Sequence, residues 1–244
     1  MGRIGFLPDN DSLKLIEQIA ALPGVKIEGI FTHLAEADLE DSSFTREQIK
    51  TFTRFINQLE ERGINIPLKH CSNSAALMNF PEAHFDMVRA GILLYGLFPS
   101  PPIKPEKIDV IPAMTLKSKV SYVKTLPAGH SISYNRTYYC PQETQVATIP
   151  IGYADGYSRL LSNRVQALIN GKLVPLVGNV CMDMCMFDVS GVGEVKEGDE
   201  VILFGRPEDG VTADDLARAM GTINYEVVSS LGSRVPRIYK NGRS

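Results

Sequence analysis

The sequence predicts an α/β segment followed by an all-β domain. Three observations predict it. Over the first ~100 residues, short apolar runs alternate with stretches of helical period. A proline-rich stretch over 97–113 then breaks the rhythm. Beyond it the apolar runs are short, closely spaced and separated by turn residues, as in β structure.

The elements follow in order. Residues 12–22 (SLKLIEQIAAL) read as a helix with Leu13, Ile16 and Ala20 on one face and Ser12 as its N-cap. Residues 26–32 read as a buried strand. Residues 45–62 give the strongest helical pattern, with Ile49, Phe52, Ile56 and Leu59 at helical spacing. Thr45-x-x-Gln48 fits a capping box there, and Gly63 sits where the helix should stop. A strand over 66–71, a short helix near 73–79 and a third strand near 85–89 complete a βαβα rhythm, which implies parallel strands. After the proline-rich stretch, strands are expected over 114–126, 144–151, 164–169, 172–177, 184–189 and 199–204. Asn170-Gly171 between two of them marks a hairpin. One helix is expected at 212–220, opened by Thr212-x-x-Asp215 and closed by Gly221. A (β/α)8 barrel needs eight strands in about 250 residues. Three strands would be the end of one.

Composition narrows the function classes. The 244 residues suffice for one large or two small domains. A net charge of −3 offers no basic excess to neutralise phosphates, which argues against nucleic-acid partners. No apolar run approaches the ~20 residues of a membrane span. No signal peptide is visible ahead of Pro8-Asp9-Asn10-Asp11, and four cysteines are too sparse for a disulfide scaffold. A reducing cytoplasm is the expected compartment, with no membrane partner.

Polar residues fall where the strands should end, the place where parallel α/β sheets put their sites. His33 ends the first strand, His70 the second and Arg89 the third. Singly, each reads as well as an ordinary loop histidine or ion-pair partner; the coincidence at three successive strand ends sets them apart. Ser74 at a helix start and the Gly91-Ile92 turn both direct backbone N–H groups outward, suited to phosphate. In the β-rich half, Tyr134 lies in an inter-strand loop and could act as a general base, or simply cap the β structure. Cys181-Met182-Asp183-Met184-Cys185 has poor spacing for zinc; along a strand, both thiols would share one face and pack. No metal is expected.

Nine segments carry a resemblance: Gly2-Arg3-Ile4-Gly5, EGIFTHLAEAD (28–38), HCSNSAA (70–76), MVRAGILLYGL (87–97), SYNRTY (133–138), IPIGYADGY (149–157), GNVCMDMCM (178–186), INYEV (223–227) and RVPRI (234–238). In order and spacing, over essentially the whole chain, they resemble the bacterial alanine racemases. The resemblance implies the C-terminal part of a (β/α)8 TIM-type barrel that binds pyridoxal 5′-phosphate (PLP) over 1–110, then a β domain over 111–244. It also implies a homodimer whose active site is shared between subunits, with alanine as substrate and D-alanine for peptidoglycan as product.

By the matching motifs, Arg89 would face the pyridine nitrogen of PLP, with His33 and His70 in its hydrogen-bonded set. Arg3 would contact the cofactor's 3-oxygen and the substrate carboxylate. Ser74, Gly91, Ile92 and Tyr225 would hold the phosphate. Tyr134 would be one of two bases, the Met182 backbone would position the carboxylate, and Tyr153 would line the entrance. The tyrosine at 225 favours alanine over serine, since the serine-racemase branch commonly has asparagine there.

One departure is plain. The family's Schiff-base lysine belongs to a V-V-K-A-N-A-Y-like motif, and none of the twelve lysines lies in such a context. The expectation is a piece of a racemase, lacking the barrel strands before Met1, holding one base of two and inactive alone. The competing reading is a non-catalytic module that uses its β domain to assemble.

Overall fold

The computed structural model describes residues 1–99 and 108–240. Of the proline-rich stretch, residues 100–107 lie outside the described residues. The chain divides into two compact units, Met1–Val110 and Ile111–Ser244.

The first unit holds two parallel strands and three helices. Helix α1 (Asn10–Ala20) is capped by Asp9, whose carboxylate accepts from Ser12 N at 2.9 Å. The cap is thus Asp9 rather than Ser12, which is buried in the first turn. An aspartate four residues ahead of the first apolar position satisfies a free N–H and complements the helix dipole. Strand β1 (Gly29–Phe31) leads to α2 (Ser43–Glu61). In α2, Ile49, Phe52, Ile56 and Leu59 are buried, as their spacing requires, together with Phe55. Each such side chain contributes roughly 1.5–3 kcal/mol on burial. Gly63, at a φ of 78°, and the Ile64 N to Leu59 O bond end the helix.

The Thr45–Gln48 capping box does not form. Helix α2 begins two residues earlier, Ser42 makes no side-chain cap, and Thr45 is fully buried. Gln48 instead accepts from Ala35 N at 2.9 Å, bracing the loop after β1. Strand β2 (Leu68–His70) pairs in parallel with β1, with Phe31 opposite His70. Helix α3 (Ser74–Asn79) follows, its N-cap Asn73 accepting from Ala76 N at 3.0 Å and donating to Leu34 O at 3.2 Å.

The third expected strand is not one. Residues 85–89 lie beside β2 and join it and the residues after it through two backbone hydrogen bonds, Asp86 N to Lys69 O and Arg89 N to Ser72 O, both 3.0 Å, without forming a ladder. Phe85, at a φ of 45°, breaks the extended backbone, and its ring packs edge-on to Phe52 at 5.4 Å. The described residues of this unit therefore form a two-stranded parallel sheet and no closed barrel.

The second unit is β-rich. The expected 114–126 strand is two, β3 (Leu116–Lys119) and β4 (Tyr122–Leu126), which belong to different sheets. Strands β5 (Ser131–Ile132) and β6 (Tyr138–Tyr139) form a small hairpin. Strands β7 (Thr144–Ile149), β8 (Gln166–Ile169), β9 (Lys172–Pro175), β10 (Cys185–Asp188) and β11 (Glu200–Phe204) complete the set. One antiparallel sheet runs β10-β7-β4 and the other β3-β11-β8-β9. The β8–β9 turn has Asn170 and Gly171 at positive φ (47° and 74°), the conformation an Asn-Gly hairpin selects. Helix α4 (Ala213–Met220) opens with the Thr212–Asp215 capping box and ends at Gly221. Helix α5 (Asn224–Ser229) was not expected: it is only six residues long and too short to show a period. Among the described residues no helix is long and apolar enough to cross a membrane.

Candidate functional site

In the first unit, the ends of β1 and β2 converge on Arg89. Its Nη1 donates to His70 Nδ1 at 2.5 Å. Its Nη2 donates to Thr32 O at 2.9 Å, His33 Nδ1 at 3.1 Å and Cys71 O at 3.2 Å. The parallel register places Phe31 beside His70, ring on ring at 5.3 Å, and puts the Arg89 guanidinium 5.4 Å from the Phe31 ring centre. So His33, His70 and Arg89, expected at three separate strand ends, form one cluster.

The donor logic fixes the tautomers. A guanidinium has no lone pair, so both Nδ1 atoms must accept, and each neutral imidazole carries its proton on Nε2. Burial holds His33 below its ordinary pKa, with further depression from Arg89, Arg3 and the N-terminal amine. Burial and then Arg89 do the same to His70. Burial also pushes the neighbouring Cys71 thiol up to about 11, against a smaller opposing pull from Arg89. Arg3 is exposed on the segment before α1, and its charge reaches both His33 and Arg89.

Two short helical turns meet beside this cluster. Ser74, buried, is the first residue of α3. Ile92, also buried, opens a 3-10 turn over Ile92–Tyr95 that follows Gly91. The Ser74 hydroxyl accepts from Leu93 N at 3.4 Å. A β-carbon on Gly91 would stand 3.6 Å from that hydroxyl, in ordinary van der Waals contact, so a branched side chain would start beside it.

The second unit assembles the other candidates. Tyr134 lies in a tight turn after β5 and its side chain is 67% exposed. Asn179 Nδ2 donates to Tyr134 O at 2.7 Å, and Ser133 Oγ donates to Asn179 O at 2.6 Å. The segment then runs to Cys181 and Met182, whose carbonyls accept from Tyr153 N (3.1 Å) and Ala154 N (2.9 Å). Tyr134, Tyr153 and Met182 thus share one cluster, all with exposed side chains. Tyr225 is half-buried on α5, which ends at Ser230 against Gly156, three residues past Tyr153. Cys185 is buried on β10 and its thiol is pushed up by burial; Cys181, half-buried, precedes the strand.

Sequence reasoning missed the braces: Gln48, Asn73, Asn179 and Asn163. Asparagine in a loop signals a turn, not the distant backbone atom it will hold. Phe31 was the exception, since parallel register with His70 could have placed it.

The residues suit a PLP-like molecule in two respects. Among the described residues, Arg89 Nε–H has no protein acceptor, leaving a donor for a ring-nitrogen lone pair. Gly91, bare in front of the Ser74 hydroxyl, leaves room for a phosphate.

Comparison with known proteins gives the family. Residues 1–99 match the family model described as "Alanine racemase, N-terminal domain", and residues 113–239 match "Alanine racemase, C-terminal domain". The chain is 53% identical over 239 residues to an alanine racemase of Desulforamulus reducens, covering 98% of this chain and 64% of that one. It is 50% identical over 242 residues to an alanine racemase of Clostridium perfringens, covering 98% and 62%. Among solved structures, alanine racemase of Clostridium difficile 630 aligns with a TM-score of 0.95 at 41% identity, covering 100% of this chain and 63% of that one. The Bacillus anthracis alanine racemase with bound L-Ala-P aligns at 0.92 and 40% identity, covering 100% and 63%. The chain therefore spans under two thirds of the length of these relatives.

Proposed function

The chain belongs to the alanine racemase family, and from that premise we propose that its residues serve PLP-dependent interconversion of L- and D-alanine. The observation that carries the reading is the Arg89 cluster, a permanent cation flanked by two neutral histidines with its Nε–H to spare.

PLP, when bound, would supply the conjugated ring that makes the α-proton of alanine acidic. The chain's residues do the rest. Arg89 would donate to the pyridine nitrogen and, unable to give up its proton, keep that nitrogen unprotonated. This limits how far the ring withdraws electrons and favours prompt reprotonation over side reactions. His33 and His70 fix the guanidinium in place. The Ser74 hydroxyl with the Gly91 and Ile92 backbone would hold the phosphate, joined by Tyr225. Arg3 would meet the cofactor's 3-oxygen and the substrate carboxylate, and the Met182 backbone would help position that carboxylate. Tyr134 would take or return the α-proton on one face. Tyr153 would line the entrance. A (β/α)8 barrel whose end is the first unit, a homodimer with a shared site, alanine as substrate and a cytoplasmic location complete the proposal. The β domain would begin at 111.

The test is a PLP titration followed by phosphorus NMR, alongside chiral assay of alanine. Ser74→Ala and Arg89→Ala should weaken PLP binding, and Tyr134→Phe should remove racemisation from PLP-loaded protein supplied with the lysine-bearing barrel strands of a family member. Unchanged binding in both of the first two variants would overturn the cofactor assignment.

A further inference from the structure

We propose that Asn179 is the positioning residue that sets Tyr134 for proton transfer. The proposal rests on the reading of Tyr134 as a base.

The Tyr134 ring is exposed, so its place must come from its backbone. That backbone is unusual. Ser133, Asn135 and Arg136 all have positive φ (67°, 60° and 52°) without being glycine. Such conformations persist only where neighbours over-determine them. Asn179 is the neighbour that does so. Its carboxamide donates to Tyr134 O at 2.7 Å while its carbonyl accepts from Ser133 Oγ at 2.6 Å. The two bonds run in opposite directions and grip consecutive residues of the turn.

The grip is firmly mounted. Asn179 is buried. Gly178 before it packs so tightly that a β-carbon would lie 2.8 Å from Ser133 Cβ. Gly178 N donates to Asn163 Oδ1 at 2.6 Å, and Asn163 Nδ2 donates to Thr137 Oγ1 at 3.1 Å, tying down the far end of the turn. Val180 is held on both sides, by Ser162 Oγ at 3.0 Å and Arg159 Nη1 at 3.1 Å. Two residues further on the same rigid segment presents Met182. Asn179 thereby fixes the distance between the proton-transfer group and the backbone proposed to hold the substrate carboxylate. A misplacement of about 1 Å in such a pair can slow a reaction ~100-fold.

The test uses Asn179→Asp, Asn179→Ala and Tyr134→Phe in the full chain. In Asn179→Asp, the ionised carboxylate cannot donate to Tyr134 O. Amide protection factors at Asn135 and Arg136 should fall about tenfold at neutral pH. They should recover in acid, where the protonated carboxyl can donate again. In Asn179→Ala they should stay low at every pH. A role in packing alone would show no such pH dependence. In PLP-loaded protein supplied with the lysine-bearing barrel strands of a family member, Asn179→Asp should lower kcat at nearly constant KM, and should have no further effect in the Tyr134→Phe background. Should Asn179→Asp fail to fold, Ser133→Ala removes the return bond together with the hydroxyl's 3.5 Å contact to Cys181 Sγ, and should shift protection in the same direction. If Tyr134→Phe racemises normally, the base assignment fails, whatever Asn179 does. If Tyr134→Phe is inactive but the Asn179 and Ser133 variants keep wild-type protection and kcat, the positioning proposal alone is overturned.

Discussion

A β-carbon on Gly152 would lie 2.3 Å from the carbonyl oxygen of Cys181. The turn bearing Tyr153 and the segment bearing Met182 therefore touch backbone to backbone, joined by the Tyr153 N to Cys181 O bond at 3.1 Å. Gly152→Ala should force them apart. Overpacking of this kind costs about 2 kcal/mol. The expected result is a Tm lowered by about 6 °C in calorimetry, with weaker alanine binding because Met182 moves. An unchanged Tm would show that the two segments can separate freely.

The histidine pair gives a pH prediction. His33 and His70 both titrate below the ordinary value of 6.5 in the folded chain. Below that pH the unfolded chain binds protons that the folded cluster refuses, so the unfolded state gains. The stability these two residues leave intact above pH 6.5 should be lost as pH falls through that value. Nitrogen-detected imidazole spectra should show Nε2-protonated neutral rings for both at pH 8. Protonation at Nδ1 of either ring would contradict the hydrogen-bond assignment to Arg89.

The phosphate assignment yields a steric test. Gly91→Val would put branched carbon in front of the Ser74 hydroxyl, starting from a β-carbon position 3.6 Å away. Inorganic phosphate and PLP should both bind at least about tenfold more weakly, a loss of about 1.4 kcal/mol. Pyridoxal without its phosphate should be affected much less. Equal losses for PLP and pyridoxal would place the phosphate elsewhere.

Thiol chemistry should separate the four cysteines. Cys71, Cys140 and Cys185 are buried, and burial raises the Cys71 thiol to about 11 and Cys185 further. The thiolate is the reactive form. At pH 8 the native chain should react with Ellman's reagent at Cys181 alone, and denaturant should expose the other three. Mass mapping of the labelled peptides reads the result.

The parts legible in sequence were those with a local cause. The α2 stripe, the Asn170-Gly171 turn and the Thr212–Asp215 box each arise from residues within a few positions of one another. What failed was decided by distant partners. Thr45-x-x-Gln48 has the capping-box pattern, yet Gln48 is drawn to Ala35 N thirteen residues back. Residues 85–89 have strand composition, yet Phe85 turns its backbone to pack on Phe52. Within the candidate site, His33 and His70 could be named because strand ends collect such groups, whereas Arg89 was named from a strand that does not form. Tyr134's mounts, Asn179 and Asn163, could not be named, because an amide's partner lies wherever the fold brings an orphan backbone group.

The Arg89 cluster contains three side chains that can each bear a positive charge, and it bears one. Isolated imidazoles would let that patch swing between one and three charges as a cell acidifies. Engaged as acceptors and held below their ordinary pKa, they make its electrostatic potential steadier against acid, much as a voltage reference is shielded from its supply. A ligand facing Arg89 would therefore meet a steadier field on mild acidification than free imidazoles would give.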